Sequence, residues 1–200
     1  MTKIGGHSIM QSRRLQHPPF LVAVIEDARV TAAYRGERSE FGSRLDALCQ
    51  ALRLSYVSDA FLGQVLYRAK ARLQCLGIPL LPRIAHRLAM AMAQVSIGDP
   101  VVVQPGLYLA HGQVVIDGIT EVGTEAVIFP FVTIGLKAGN FFGPTVGRNV
   151  HIGTGAKIIG PVRLGDGCRI GANAVVLDDV PDHATVVGVP AAVKPIELIQ

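Results

Sequence analysis

Residues 150–177, VHIGTGAKIIGPVRLGDGCRIGANAVVL, return an aliphatic side chain at every sixth position: Ile152, Ile158, Leu164, Ile170 and Val176, in phase with Val146 upstream. A helix needs apolar residues at about 3.6-residue spacing and a half-buried strand alternates at 2, so a period of six is neither. Extended backward, the same phase meets Ile134, Ile128, Val122 and Ile116, with a gap of twelve between Ile134 and Val146. Four residues after each aliphatic stands a small or β-branched side chain: Thr120, Ala126, Val132, Ala138, Val150, Ala156, Val162, Cys168, Ala174 and Val180. Glycine often follows the aliphatic directly, as at Gly123, Gly135, Gly147, Gly153, Gly165 and Gly171.

Two regularities in one phase specify a parallel β-helix, in which each hexapeptide forms one side of a coil and three close a triangular turn. The aliphatic points into the prism and stacks on its equivalent one coil away. The small residue fits the corner, and glycine lets the chain turn. One coil cannot bury its own core, so stacking supplies the stability. Residues 95–187 have room for roughly five coils at three hexapeptides each. Cys168 falls on an inward small position and reads as core. The twelve-residue gap fits either a regular pair of hexapeptides or a six-residue loop around KAGNFFGP, the kind of segment that carries function.

Before residue 95 the pattern is helical. FLVAVIEDARVTAAY follows Pro18 and Pro19 and stops near Gly36. SRLDALCQALRL places Leu45, Leu48 and Leu52 on one helical face. SDAFLGQVLYRAKARLQCLG opens on Ser58 as N-cap and closes at Gly77. LPRIAHRLAMAMAQ, with Pro82 near its start, is a fourth helix, and the first seven or so residues are expected to be loose. The fold class is therefore α+β: a helical region over residues 1–94 for capping or oligomerisation, a β-helix over 95–192, and a tail over 193–200.

The 200 residues are half hydrophobic with no Trp, so the core is aliphatic, and the net charge is +4. The arginines of the first half read as a solvated helix surface, not a nucleic-acid footprint. Three widely spaced cysteines (Cys49, Cys75, Cys168) without a CxxC pattern fit reduced thiols. With no signal-peptide core and no charge-free apolar helix, the reading is a cytoplasmic protein with no membrane segment.

The repeat, the helical lead, and the stretches YRAKARLQCLGIPLLPR, LYLAHGQVVIDG, VTIGLKAGNFFGPTVG and IGANAVVL…DVP…VGVPA resemble the hexapeptide-repeat acyltransferases, in their serine O-acetyltransferase-like branch. The resemblance covers most of residues 60–192. It implies a left-handed coil, a homotrimer with active sites between neighbouring prisms, the option of a dimer of trimers through the helices, and acetyl-CoA as co-substrate without a metal.

Acyl transfer to a hydroxyl needs a base, and His suits that task near neutrality. His7 and His17 fall in the N-terminal stretch, His86 between two arginines, His151 outward on a strand and His183 in a turn. The resemblance implies His111, in LAHGQVVI, as general base. The family's acidic partner for that base aligns with Ser96, its acid just before the base with Ala110, and its Arg-His pair with Phe142 and Gly143. Asp99 and Asp117 are the nearby replacement partners. Phe141 and Phe142 form an acceptor loop that is more apolar than the family's.

The resemblance also implies that Gly135, Thr154 and Ala172 line the pantetheine channel, with Lys157 and Arg169 available to the CoA phosphates. The acceptor reads as a small hydroxyl compound, serine or serine-like. The alternatives are a sugar or secondary-metabolite alcohol or amine, or a non-catalytic scaffold. A zinc enzyme on the same prism would need three His ligands, and only His111 and His151 lie in the central coils. The terminal KPIELIQ ends in Gln where partners of cysteine synthase end in Ile, so that complex is not expected.

Overall fold

Residues 3–193 are described by a computed structural model. Most of the expected tail, residues 194–200 with Gln200, lies outside the described residues. Among the described residues fourteen strands form three parallel faces of a prism, which the chain visits in rotation. Face A holds β1 (Val95–Ile97), β4 (Val114–Ile116), β7 (Thr133–Gly135), β10 (Lys157–Ile159) and β13 (Val175–Val176). Face B holds β2 (Val102–Val103), β5 (Ile119–Val122), β8 (Phe142–Val146) and β11 (Arg163–Leu164), extended by a bridge from Leu164 to Val180. Face C holds β3 (Tyr108–Leu109), β6 (Val127–Ile128), β9 (His151–Ile152), β12 (Arg169–Ile170) and β14 (Thr185–Val187), closed by antiparallel β15 (Ala192–Val193).

The repeat aliphatics fill the prism. Ile116, Val122, Ile128, Ile134, Ile152, Ile158 and Leu164 are fully buried, as are the corner residues Thr120, Ala126, Val150, Ala156, Cys168 and Ala174. Burial pushes the Cys168 thiol up to about 11, which suits a packing residue rather than a nucleophile. Register resolves the twelve-residue gap. Ile116 pairs with Ile134 and Ile158 with Val176 at intervals of 18, whereas Ile134 pairs with Ile158 at 24. Six extra residues are therefore a loop between β7 and β8. Ala138 lies exposed in that loop, not at an inward corner as the repeat suggested.

Five helices precede the prism: α1 (Lys3–Leu15), α2 (Phe20–Tyr34), α3 (Arg44–Val57), α4 (Phe61–Cys75) and α5 (Leu81–Ala93). The N-terminal stretch is thus helical from Lys3, where looseness was expected. Ser58 ends α3 instead of capping α4, whose N-cap is Ala60 with no side-chain bond; the true side-chain cap is Ser43, whose Oγ accepts the Asp46 N–H at 3.1 Å. Leu45, Leu48 and Leu52 are exposed, and α3 buries Ala47, Ala51 and Leu54. The leucine stripe marks an apolar face correctly, but helical spacing cannot say which face meets the rest of the chain.

The helices close the open end of the prism. Each coil bonds to its neighbours through alternate backbone groups, as in Gly98 N–H to Ile116 O (2.8 Å) and Gln104 N–H to Val122 O (2.8 Å), so the first coil is left with outward-facing carbonyls that no coil meets. Side chains of α4 meet them. Gln64 Nε2 donates to Leu107 O at 2.7 Å, Tyr67 Oη to Val101 O at 2.9 Å, Arg68 to Val103 O and Gln104 O, and Lys70 Nζ to Ile97 O. Arg13 Nε adds Pro100 O at 3.2 Å.

Arg68 also pairs with Asp27 of α2 at 2.9 and 3.0 Å, both side chains being almost fully buried. Asp27 Oδ1 accepts the N–H groups of Gly106 and Leu107 at 2.9 Å. Burial raises the Asp27 carboxyl, and the Arg68 guanidinium pulls against that rise. Arg68 and Lys70 are therefore buried plugs, which for Arg68 corrects its reading as solvated surface.

Breaking a buried pair leaves an uncompensated charge. Arg68→Leu is expected to lower stability by about 3–5 kcal/mol in urea unfolding, with the double variant Asp27→Leu/Arg68→Leu recovering part of the loss. A second expectation concerns His17, packed edge-on to Tyr67 with ring centroids 6.2 Å apart. Burial, then the nearby Arg68, Lys70 and Arg13, lower its pKa from 6.5 to about 4. The unfolded ring takes up a proton that the folded one refuses, so this contribution to stability is present above pH 6.5 and lost as pH falls toward 4. The loss is at most about 3 kcal/mol, and unfolding curves of His17→Phe should show a shallower fall over that window.

Candidate active site

His111 stands in the turn from β3 to β4, residues 110–113, on the prism edge between faces C and A. The first coil is one residue longer than a regular one: Leu109 and Ile116 are seven apart, where the preceding sides are six. The extra residue falls in this turn and lifts His111 outward. Two contacts fix the turn. The Gln113 N–H donates to Gln94 O at 2.9 Å, and a Cβ on Gly112 would come within 2.0 Å of Ala93 O. The end of α5 therefore presses directly against the histidine's own turn, and only glycine permits that approach.

The ring does not stand alone. His111 Nδ1 lies 2.9 Å from Oδ2 of Asp59, in the turn between α3 and α4. A carboxylate only accepts, so Nδ1 is the donor in this pair, and in the neutral ring Nε2 is then the acceptor. Both side chains are largely solvent-exposed, 64% and 74%, in a shallow pocket shared with Met92, Ala93, Gln94, Gly112 and Gln113. Sequence reasoning missed Asp59, which lies 52 residues upstream in a helical turn and is brought to His111 only by packing.

The two aspartates that the sequence offered are engaged elsewhere. Asp99 Oδ1 accepts from Lys70 Nζ at 3.2 Å, and Asp117 Oδ1 accepts the Gly118 N–H at 2.7 Å. Neither is the partner of His111. Of the remaining histidines, His151 lies outward on face C with Nε2 3.3 Å from Tyr34 Oη, and His183 occupies a turn at φ 57°. Burial, then Arg169, lower the His151 pKa.

The edge that carries His111 continues through the turns at 129–132, 153–156 and 171–174. Thr154 and Ala172 sit there, both exposed. Their turns lock together, the Asn173 N–H donating to Thr154 O at 2.8 Å and the Gly155 N–H to Pro130 O at 2.9 Å. Lys157 flanks the edge on face A and donates to Phe131 O, while Arg169 flanks it on face C toward Tyr34 and His151. Gly135 lies at the opposite border of face A, where its carbonyl accepts the Gly160 N–H at 2.9 Å. Phe141 and Phe142 lie on that far side too, in the inserted loop and the start of β8, and both are exposed. One chain thus gathers His111, Thr154 and Ala172 on one edge and sets Gly135 and the phenylalanines across face A from them. Among the described residues no three His, Cys, Asp or Glu side chains cluster as metal ligands would, and no helix is long and apolar enough to cross a membrane.

Residues 143–178 match the family model for the bacterial transferase hexapeptide, six repeats. A serine acetyltransferase of Mycobacterium tuberculosis is 42% identical over 120 residues, covering 58% of this chain and 52% of that protein. One of Helicobacter pylori is 42% identical over 113 residues, covering 54% and 66%. The crystal structure of Neisseria gonorrhoeae serine acetyltransferase in complex with serine superposes with a TM-score of 0.73 at 26% identity, over 86% of this chain and 68% of that one. The chain spans about half the length of the first of these relatives and two-thirds of the second. Period, prism, helical plug and relatives agree: the chain carries the bacterial transferase hexapeptide repeat and is similar in sequence and fold to serine acetyltransferases.

Proposed function

We propose that the protein is an acetyl-CoA-dependent O-acetyltransferase acting on serine or a serine-like small hydroxyl compound, with His111 as its general base. The observation that carries this reading is the Asp59–His111 pair at 2.9 Å, standing at the head of the edge that bears Thr154 and Ala172. With Nδ1 held as donor by Asp59, Nε2 takes the proton of the acceptor hydroxyl as its oxygen attacks the thioester carbonyl. The tetrahedral intermediate collapses with departure of the CoA thiolate, and the protonated His111 returns the proton to that sulfur.

Assembly completes the site in this reading. Six residues per side at about 3.3 Å each place the two borders of face A as much as ~20 Å apart. The Phe141–Phe142 loop of one chain would therefore serve His111 of a neighbour. A homotrimer, in which each A–B border meets the next chain's C–A edge, joins the two halves and desolvates the exposed Asp59–His111 pair. Thr154 and Ala172, small and exposed, leave the main chain open to the pantetheine arm along that groove. Lys157 and Arg169 flank it as phosphate donors. The apolar Phe141 and Phe142 favour an acceptor with some apolar character over one gripped by charge alone.

Thiol release from acetyl-CoA with serine, and with a panel of amino alcohols and sugars, tests the activity; no release with any acceptor would sink the reading. His111→Ala is expected to lower kcat by about 10²–10⁴-fold, and unchanged turnover would remove His111 from the chemistry. Asp59→Ala should lower kcat roughly tenfold while leaving KM for acetyl-CoA nearly constant, as befits a positioning residue. Ala172→Trp, at an exposed site, should raise KM for acetyl-CoA with little change in thermal stability.

A further inference from the structure

A cleft of ≈ 650 Å³ opens between the α4–α5 loop and the first coil of the prism, lined by Arg14, Gln74, Arg83, His86, Arg87 and Asp99 beside the loop from Gly77 to Pro82. It shares no lining residue with the His111 pocket. Arg83 and Arg87 stand four residues apart on α5 and so face the same way; Arg14 reaches in from the end of α1. Among the described residues none of the three forms an ion pair, although most other arginines of the chain do. Arg14 Nε is moreover buried with no hydrogen-bond acceptor.

The charge around the cleft is unbalanced. Arg14, Arg83, Arg87 and the underlying Lys70 are four cations against the two nearby carboxylates Asp99 and Asp117, and Asp99 is already held by Lys70. Backbone donors are not what the cleft offers. The Leu81 N–H is taken by Pro79 O at 2.7 Å, the Arg83 and Ile84 N–H groups by Leu80 O, and Pro82 has none. Any anion here must be met by guanidinium forks, which match phosphate oxygens in pairs. The volume lies within the range of small-molecule sites.

We propose that this cleft binds a small phosphate-bearing polyanion, at a site separate from the His111 edge and beyond the acetyl-transfer reaction. Arg14, Arg83 and Arg87 supply the forks and His86 a further donor. The position links occupancy to the α5 helix, whose far end fixes the His111 turn.

Calorimetric titration of the full chain with inorganic pyrophosphate tests this, with citrate as the polyanion that lacks phosphate. Pyrophosphate should bind one per chain and more tightly than citrate. Arg83→Gln/Arg87→Gln, at exposed positions, should weaken it at least about tenfold, and His111→Ala should leave it unchanged. Arg14→Gln, read the same way, serves if the double variant loses thermal stability. Equal affinity in wild type and the arginine variants, loss of binding in His111→Ala, or citrate binding as tightly as pyrophosphate would each overturn the proposal.

Discussion

A stack of parallel coils ends in an edge whose outward-facing backbone groups have no partner coil, and the helices are arranged around that edge. Within the prism neighbouring coils exchange hydrogen bonds in both directions, as in Gly98 N–H to Ile116 O and Glu125 N–H to Pro105 O. The first coil's carbonyls have no coil before them, and buried unpaired carbonyls are costly. Gln64, Tyr67, Arg68 and Lys70 of α4 provide the missing donors, with Asp27 neutralising Arg68. At the other end β15 turns back antiparallel on β14 and ends the ladder.

This plug also sets the functional geometry. Because α4 must lie across the first coil, the turn that precedes it brings Asp59 to the C–A edge, and α5 returns from it to begin the prism. The end of α5 presses on Gly112 and so fixes His111 opposite Asp59. The same return leaves the cleft beneath Arg83 and Arg87 on the other side of the first coil. Capping, the Asp59–His111 pair and the basic cleft are thus three consequences of one packing requirement.

The prism was legible because its period is local: each hexapeptide repeats the same burial, so Ile152 and Ile158 announce their places without reference to distant residues. Helix existence was equally legible, and the segment after Pro19 begins and ends where its local signals place it. Where the signals were ambiguous, burial decided. The exposed leucines of α3, the exposed Ala138 and the buried Arg68 all run against the simple reading of hydropathy. Each depends on what the segment packs against, which pattern alone does not contain.

The sequence by itself determined the coil, its inward stack and the helical lead, since these rest on spacing or on short motifs, while His111 stood out among the histidines only through the resemblance. Only the tertiary structure decided which acid holds that histidine, that the twelve-residue gap is a six-residue loop, and that the edge residues align while the phenylalanines face away. Partners 52 residues apart, such as Asp59 and His111, share no periodic signal. Their meeting follows from how a helical plug must sit on a stack of coils whose first carbonyls need donors.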